Sequence, residues 1–314
     1  DMGHYLFLLN NKNTNEKFQE YLNSIEKTIE LLIDHKMDVQ LHVHSQWHNA
    51  EIISNNIQVT NNWNLGGLDQ TDQDNLLNES FDSLEKIFEK FNLNKKITSY
   101  KAGSWGLQPF DNIHRILKNK NISLLLGPAK DIKSKRMKTD YTGLESEISP
   151  YFPNPLNINE IGKKDALFII PIAPTYLNWF DLIRYYTEKK IEKLFDTKND
   201  LKKTYDGMRL DNKINISLEP YKTHMKINSQ KFWFLKNTFN RSYKKIVNNN
   251  FEYKILIIET HTKDFEKNLK DIDKFFRYIT SNYKNIEFVT STQILDDYKK
   301  NIFTPLHSNE IQNH

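Results

Sequence analysis

The chain has 314 residues, 44 Lys and Arg against 40 Asp and Glu, and a formal net charge of +4. A charge this mild, spread along the sequence, does not argue for nucleic acid. The absence of cysteine excludes disulfides and thiolate metal sites. No apolar run approaches the length of a membrane span, and the length suits one large α/β domain or two smaller ones.

Residues 5–9 are a short apolar run, expected to be the end of a strand, and 10–15 are polar and loop-like. From about residue 16 to 35 the apolar residues Phe18, Leu22, Ile25, Ile29, Leu32 and Ile33 recur mostly at three and four, the period of an amphipathic helix. Residues 39–48 follow, reading DVQLHVHSQWH with Asp38 in front. Val39, Leu41 and Val43 alternate with Gln40, His42 and His44, so a strand places His42 and His44 on one face. His44 and His48 are four apart, a spacing that a turn or helix start brings to one side. Two or three imidazoles at a strand end suit a borderline metal such as zinc.

Residues 54–74, rich in Asn, Gln and Asp, read as a long loop, and 76–91 as a helix with Leu76, Leu77, Phe81, Leu84, Ile87 and Phe88 on one stripe. A strand is expected at about 97–100, running into Lys101-Ala102-Gly103-Ser104-Trp105. A helix follows Pro109, and a strand at 122–126 is closed by Gly127-Pro128. Residues 130–164 lack periodicity and read as an excursion from the sheet. A strand at 167–170 is stopped by Pro171, and helical stretches rich in aromatic and basic residues cover 176–250. Strands at 253–258 and 286–289, helices at 265–283 and 291–299, and a frayed tail after Ile302 complete the pattern. Strands alternate with helices, which favours a parallel sheet. Polar or unusual residues collect past three strand ends, at His42 to His48, at Lys101 to Trp105 and at His261, where α/β folds place their sites.

With these pieces in place the chain resembles the polysaccharide deacetylases of the NodB-homology group, the carbohydrate esterase family 4 fold, in a branch found with surface-polysaccharide biosynthesis. The residues that carry the resemblance are Gln40-Leu41-His42-Val43-His44-Ser45-Gln46-Trp47, then Tyr100-Lys101-Ala102-Gly103-Ser104-Trp105-Gly106-Leu107-Gln108-Pro109-Phe110-Asp111, and Ile258-Glu259-Thr260-His261. The resemblance implies a distorted (β/α)7 barrel over residues 1–302, with an irregular and helical insertion at about 130–250 and a flexible tail at 303–314. It also implies metal-assisted removal of an acetyl group from an N-acetylated sugar or polysaccharide.

Members of that family hold a divalent metal, here expected to be zinc with nickel or cobalt as alternatives, through one Asp and two His. The His pair falls on His42 with His44, or on His44 with His48; His44-Ser45-Gln46-Trp47-His48 fits the family's His-Ser/Thr-x-x-His pattern. The same carry-over makes His261 the acid that protonates the leaving amine. Trp105 and Trp47 become walls against a sugar ring, with Gln108 beside them. Lys101 stands where the family has an arginine that orients the catalytic carboxylate, keeping the charge and losing the planar fork. The family's first strand, which ends in an Asp pair, is expected to be missing from this chain, leaving Asp1 as the nearest substitute. An incomplete pair favours a rival reading, a non-catalytic member that binds carbohydrate or an assembly partner.

Overall fold

A computed structural model describes residues 1–54, 56–195, 221–224, 227, 230–260 and 268–308. Strands and helices alternate through the first half of the chain. Helix α1 (Met2–Asn10) and helix α2 (Glu16–Asp34) precede strand β1 (Leu41–Val43). The hairpin β2 (Glu51–Ile53) and β3 (Asn56–Gln58) comes next. Helix α3 (Gln70–Lys90), strand β4 (Ser99–Ala102), helix α4 (Asp111–Asn119) and strand β5 (Leu124–Ala129) follow. Two small hairpins, β6 (Lys133–Ser134) with β7 (Thr139–Asp140) and β8 (Pro153–Asn154) with β9 (Asn157–Ile161), lead to strand β10 (Phe168–Ile172). Strands β1, β4, β5 and β10 form one four-stranded parallel sheet in that order. Among the described residues its ladder does not close on itself.

The described residues fall into two compact units. One comprises 1–173, 249–256 and 287 onward, and the other 174–248 and 257–286. The first holds the parallel sheet, with Leu41, Val43, Tyr100, Leu124, Leu125, Phe168, Ile169 and Ile170 buried, and Phe168 packed against the rings of Phe152, Tyr298 and Phe303. It also holds the last described helix, α8 (Ser291–Lys299). The second contains β11 (Pro174–Leu177) paired antiparallel with β12 (Tyr221–His224), and helices α5 (Trp179–Phe195), α6 (Phe232–Val247) and α7 (Leu269–Asn282). Phe239 and Phe275 pack edge to face at 5.7 Å in its core.

Local chemistry sets the ends of these elements. Asn15 and Asp69 cap α2 and α3 by accepting backbone N–H groups. Thr290 and Gln293 form a capping box at the start of α8 (Ser291–Lys299). Asp38 takes the Thr292 amide at 2.8 Å and the Ser291 hydroxyl at 2.7 Å, tying α8 to the chain entering β1. The Oε1 of Gln40 accepts the amides of Thr98 and Ser99, which sets β1 against β4.

Several expectations need correction. The residues read as a long loop at 54–74 contain β3 and the first turn of α3, and β12 lies within the stretch read as helical, 176–250. Residues 5–9 belong to a helix: Asp1 accepts the Gly3 amide as the cap of α1. A run too short to show a period left helix and strand indistinguishable. Pro171 does not stop its strand. It sits where the β5–β10 register shifts between Ile170 and Ile172, opposite Gly127-Pro128, so the bulge absorbs residues that cannot donate. Residues 253–258 and 286–289 carry no strand; Tyr253 instead stacks on Phe303 at 4.3 Å. The tail is docked as far as Ser308, with Phe303 buried and the Leu306 amide donating to the Pro150 carbonyl at 2.9 Å.

Candidate functional site

The carboxyl ends of β1 and β4 lie side by side, with His42 in register with Lys101 and Val43 with Ala102. Parallel strands in register put His42 and Lys101 on the same face of the sheet. The Nδ1–H of His42 donates to the Lys101 carbonyl at 2.8 Å, since a carbonyl only accepts. Burial, with His44 and Lys101 close by, holds this imidazole well below its ordinary pKa. At neutral pH it is therefore the neutral tautomer with a lone pair on Nε2. A backbone carbonyl that fixes a ring in this way is a usual partner of a metal-binding histidine.

His44 begins the turn after β1. Its ring meets that of His42 edge to face at 4.6 Å. Asp1 reaches it twice: Oδ2 lies 3.1 Å from Nδ1, and Oδ1 accepts the His44 amide at 3.1 Å. The same Oδ1 caps α1, so helix start and histidine turn are fastened by one carboxylate. Gly103 makes the approach possible. A Cβ there would stand 2.5 Å from the His44 ring carbons Cγ and Cδ2 and 2.8 Å from its Cα. Two ligands about 2.0–2.1 Å from one ion, at tetrahedral to octahedral angles, lie about 2.9–3.4 Å apart. The Asp1–His44 separation is of that size, and is equally that of a hydrogen-bonded ion pair.

His48 turns elsewhere. Its Nε2 lies 3.0 Å from Asp72 in the first turn of α3. Among the described residues no group of three or more His, Asp and Glu side chains stands close enough to hold a metal ion. The structure brings Asp1, His42 and His44 to one mouth and sends His48 to α3. His261 lies outside the described residues.

The aromatic candidates are more enclosed than a sugar platform would be. Trp105 is 4 % exposed. Its carbonyl accepts the Tyr141 hydroxyl, and the Lys101 ammonium lies 5.7 Å from its ring. Trp47 is half-buried, stacked on His4 at 4.2 Å and tilted against Phe7 at 5.5 Å, both on α1. Gln108 is engaged with backbone: its amide donates to the Asp140 carbonyl at 2.9 Å and accepts the Asp140 amide at 2.7 Å.

Sequence reasoning underrated Asp1 and missed Asp72. A strand at residues 5–9 would have left Asp1 on a loose end, whereas a helix makes it a cap. Asp at a helix start is the signal that was available. Asp72 carried no signal beyond its place in a first turn. Compared with known proteins, the chain matches no family model, no curated protein and no solved structure.

Proposed function

We propose that the chain is a metal-dependent hydrolase that removes an acetyl group from an N-acetylated sugar, on a NodB-type distorted barrel. The observation that carries the reading is the pairing of Asp1 with His44 beside a neutral, carbonyl-tied His42 at two adjacent strand ends. The winding also supports it. Among the described residues, successive parallel strands each add at the same edge of the sheet, as in a (β/α) barrel, with no reversal of strand order of the doubly wound kind.

Asp1 and His44 would hold the metal, zinc or alternatively nickel or cobalt, with His42 beside them. Bound there, it would polarise the acetyl carbonyl and lower the pKa of a water. The chain's own part is positioning. Asp1 offers a carboxylate to a polar substrate proton, His42 offers Nε2 as an acceptor, and Lys101 keeps a positive charge on the same face. His261 would supply the proton to the leaving amine.

One observation favours a second reading, a catalytically impaired relative that binds carbohydrate or an assembly partner. The described side chains gather only two groups at ligand distance, and His48 is engaged with Asp72. Metal content and deacetylation of a chito-oligosaccharide by the full chain separate the two. The enzyme reading expects stoichiometric metal and acetate release, with both lowered at least ~100-fold in His44→Ala. A metal-free protein that binds the oligosaccharide without releasing acetate would establish the second reading instead.

A further inference from the structure

Residues 130–138 read KDIKSKRMK, five cations against the single acid Asp131. That local excess is as large as the formal net charge of the whole chain. The segment leaves the carboxyl end of β5 and forms the β6–β7 hairpin. It therefore rises from the same edge of the parallel sheet as His44 and Gly103.

Two of its lysines meet acids from outside the segment. Lys133 lies 2.5 Å from Asp140, and that contact, with the Thr142 hydroxyl and amide, holds the Asp140 carboxyl down at about 2. Lys130 faces Glu147 at 3.7 Å. Among the described residues, Lys135, Arg136 and Lys138 have no carboxylate at ion-pair distance. All three are exposed. The Arg136 guanidinium lies 4.4 Å from the Trp63 ring centroid. Stacking occupies the face of the guanidinium and leaves its edge donors for an oxyanion.

The base of the hairpin is tied to its neighbours by hydrogen bonds. The two Gln108–Asp140 hydrogen bonds hold it to the loop that follows Trp105, and Asn64 donates to the Gln108 carbonyl. Beside it lies a groove of about 370 Å³, with Lys138, Asn157 and Gln108 as its polar lining and Pro109, Phe110 and Ile158 as apolar walls. That volume falls in the range of small-ligand sites.

We propose that the hairpin and groove form a subsite for the anionic part of a glycan, recognised through carboxylate or phosphate oxygens. That the anion belongs to a glycan rests on the deacetylase reading; that an anion binds here does not. Arg136 supplies a planar fork, Lys135 and Lys138 supply point charges, and the groove supplies an apolar surface for an attached ring.

Titration of the full chain, followed by calorimetry, tests this with four probes: an oligogalacturonate, inorganic diphosphate, a neutral chito-oligosaccharide and a single-stranded oligonucleotide. The expected result is salt-sensitive binding of at least one of the first two. Preference for the oligogalacturonate assigns a carboxylate, and preference for diphosphate a phosphate. Replacing Lys135, Arg136 and Lys138 together by Gln should weaken that binding about 10-fold, with the neutral sugar unaffected. The single variants Lys135→Gln and Arg136→Gln carry the test if the triple variant does not fold. His44→Ala should leave anion binding unchanged, so failure of the hydrolase reading is separable from failure of this one. Unchanged affinity in the Gln variants, equal binding of neutral and anionic sugars, or tightest binding of the oligonucleotide would overturn the proposal.

Discussion

The histidine mouth and the basic hairpin stand at carboxyl ends of strands in one sheet, yet they treat charge in opposite ways. At the mouth, burial keeps His42 neutral and hydrogen-bond partners fix the rings: the Lys101 carbonyl accepts from the His42 Nδ1–H, and the Asp1 carboxylate faces the His44 Nδ1 and accepts its backbone amide. On the hairpin, three cations are exposed to solvent, Arg136 against the Trp63 ring and all three above a base tied down by the Gln108–Asp140 hydrogen bonds. Removing a group from water makes its geometry matter more than its charge. Leaving it in water makes the sum of charges matter more than any one position. The two regions should therefore answer substitution differently.

The largest effect is expected where the mouth is tightest. Gly103→Ala puts a Cβ against the His44 ring and Cα, and the Cα cannot swing away as a flexible side-chain end would. A loss of about 1–3 kcal/mol is expected from such overpacking, read from the midpoint of denaturant unfolding. An unchanged midpoint would mean that the mouth is not packed as described.

A titration isolates the effect of burial at a site away from the mouth. Burial lowers the His114 pKa, and Lys118 adds to this, against the opposing pull of Asp165 3.0 Å away. Below about pH 6.5 the unfolded chain binds a proton that folded His114 resists, so stability falls as pH drops through that value. The slope for one such proton is at most about 1.4 kcal/mol per pH unit. His114→Gln should make the loss of thermal stability below about pH 6.5 less steep. His42 shifts in the same direction for the same leading reason.

Smaller effects fall on exposed charge. Asp72→Asn removes the partner of His48, and such a partly exposed pair is worth about 0–1 kcal/mol. The variant should keep its metal content if His48 is only fastened to α3, and lose it if His48 is a ligand. Replacing Lys135, Arg136 and Lys138 by Gln should change stability by no more than about 0.5 kcal/mol, checked by thermal melting. A larger drop would make the hairpin a structural element like the mouth.

Much of the architecture was legible because long periodic segments announce themselves. Helices α2 and α3 carry apolar stripes that persist over several turns, and β1, β4, β5 and β10 fall where apolar runs end in polar or glycine-rich turns. Short segments were not legible. Residues 5–9, 253–258 and 286–289 have similar apolar character, and only hydrogen-bond partners distant in sequence decide whether such a run joins a sheet. The candidate site divides in the same way. His42, His44 and Lys101 were marked by spacing and by their place at strand ends, whereas the Asp1–His44 and Asp72–His48 pairs span 43 and 24 positions and left no local trace.

By itself the sequence determined the succession of α2, β1, α3, β4, α4, β5 and β10, the α/β character and the clustering of three histidines, because periodicity and composition are properties of neighbours along the chain. Only the tertiary structure decided that His44 faces Asp1 while His48 faces Asp72, and that Gln108 spends its amide on Asp140. Hydrogen bonds and close packing act over about 3–4 Å in space, and distance along a chain does not reveal which atoms folding brings that near.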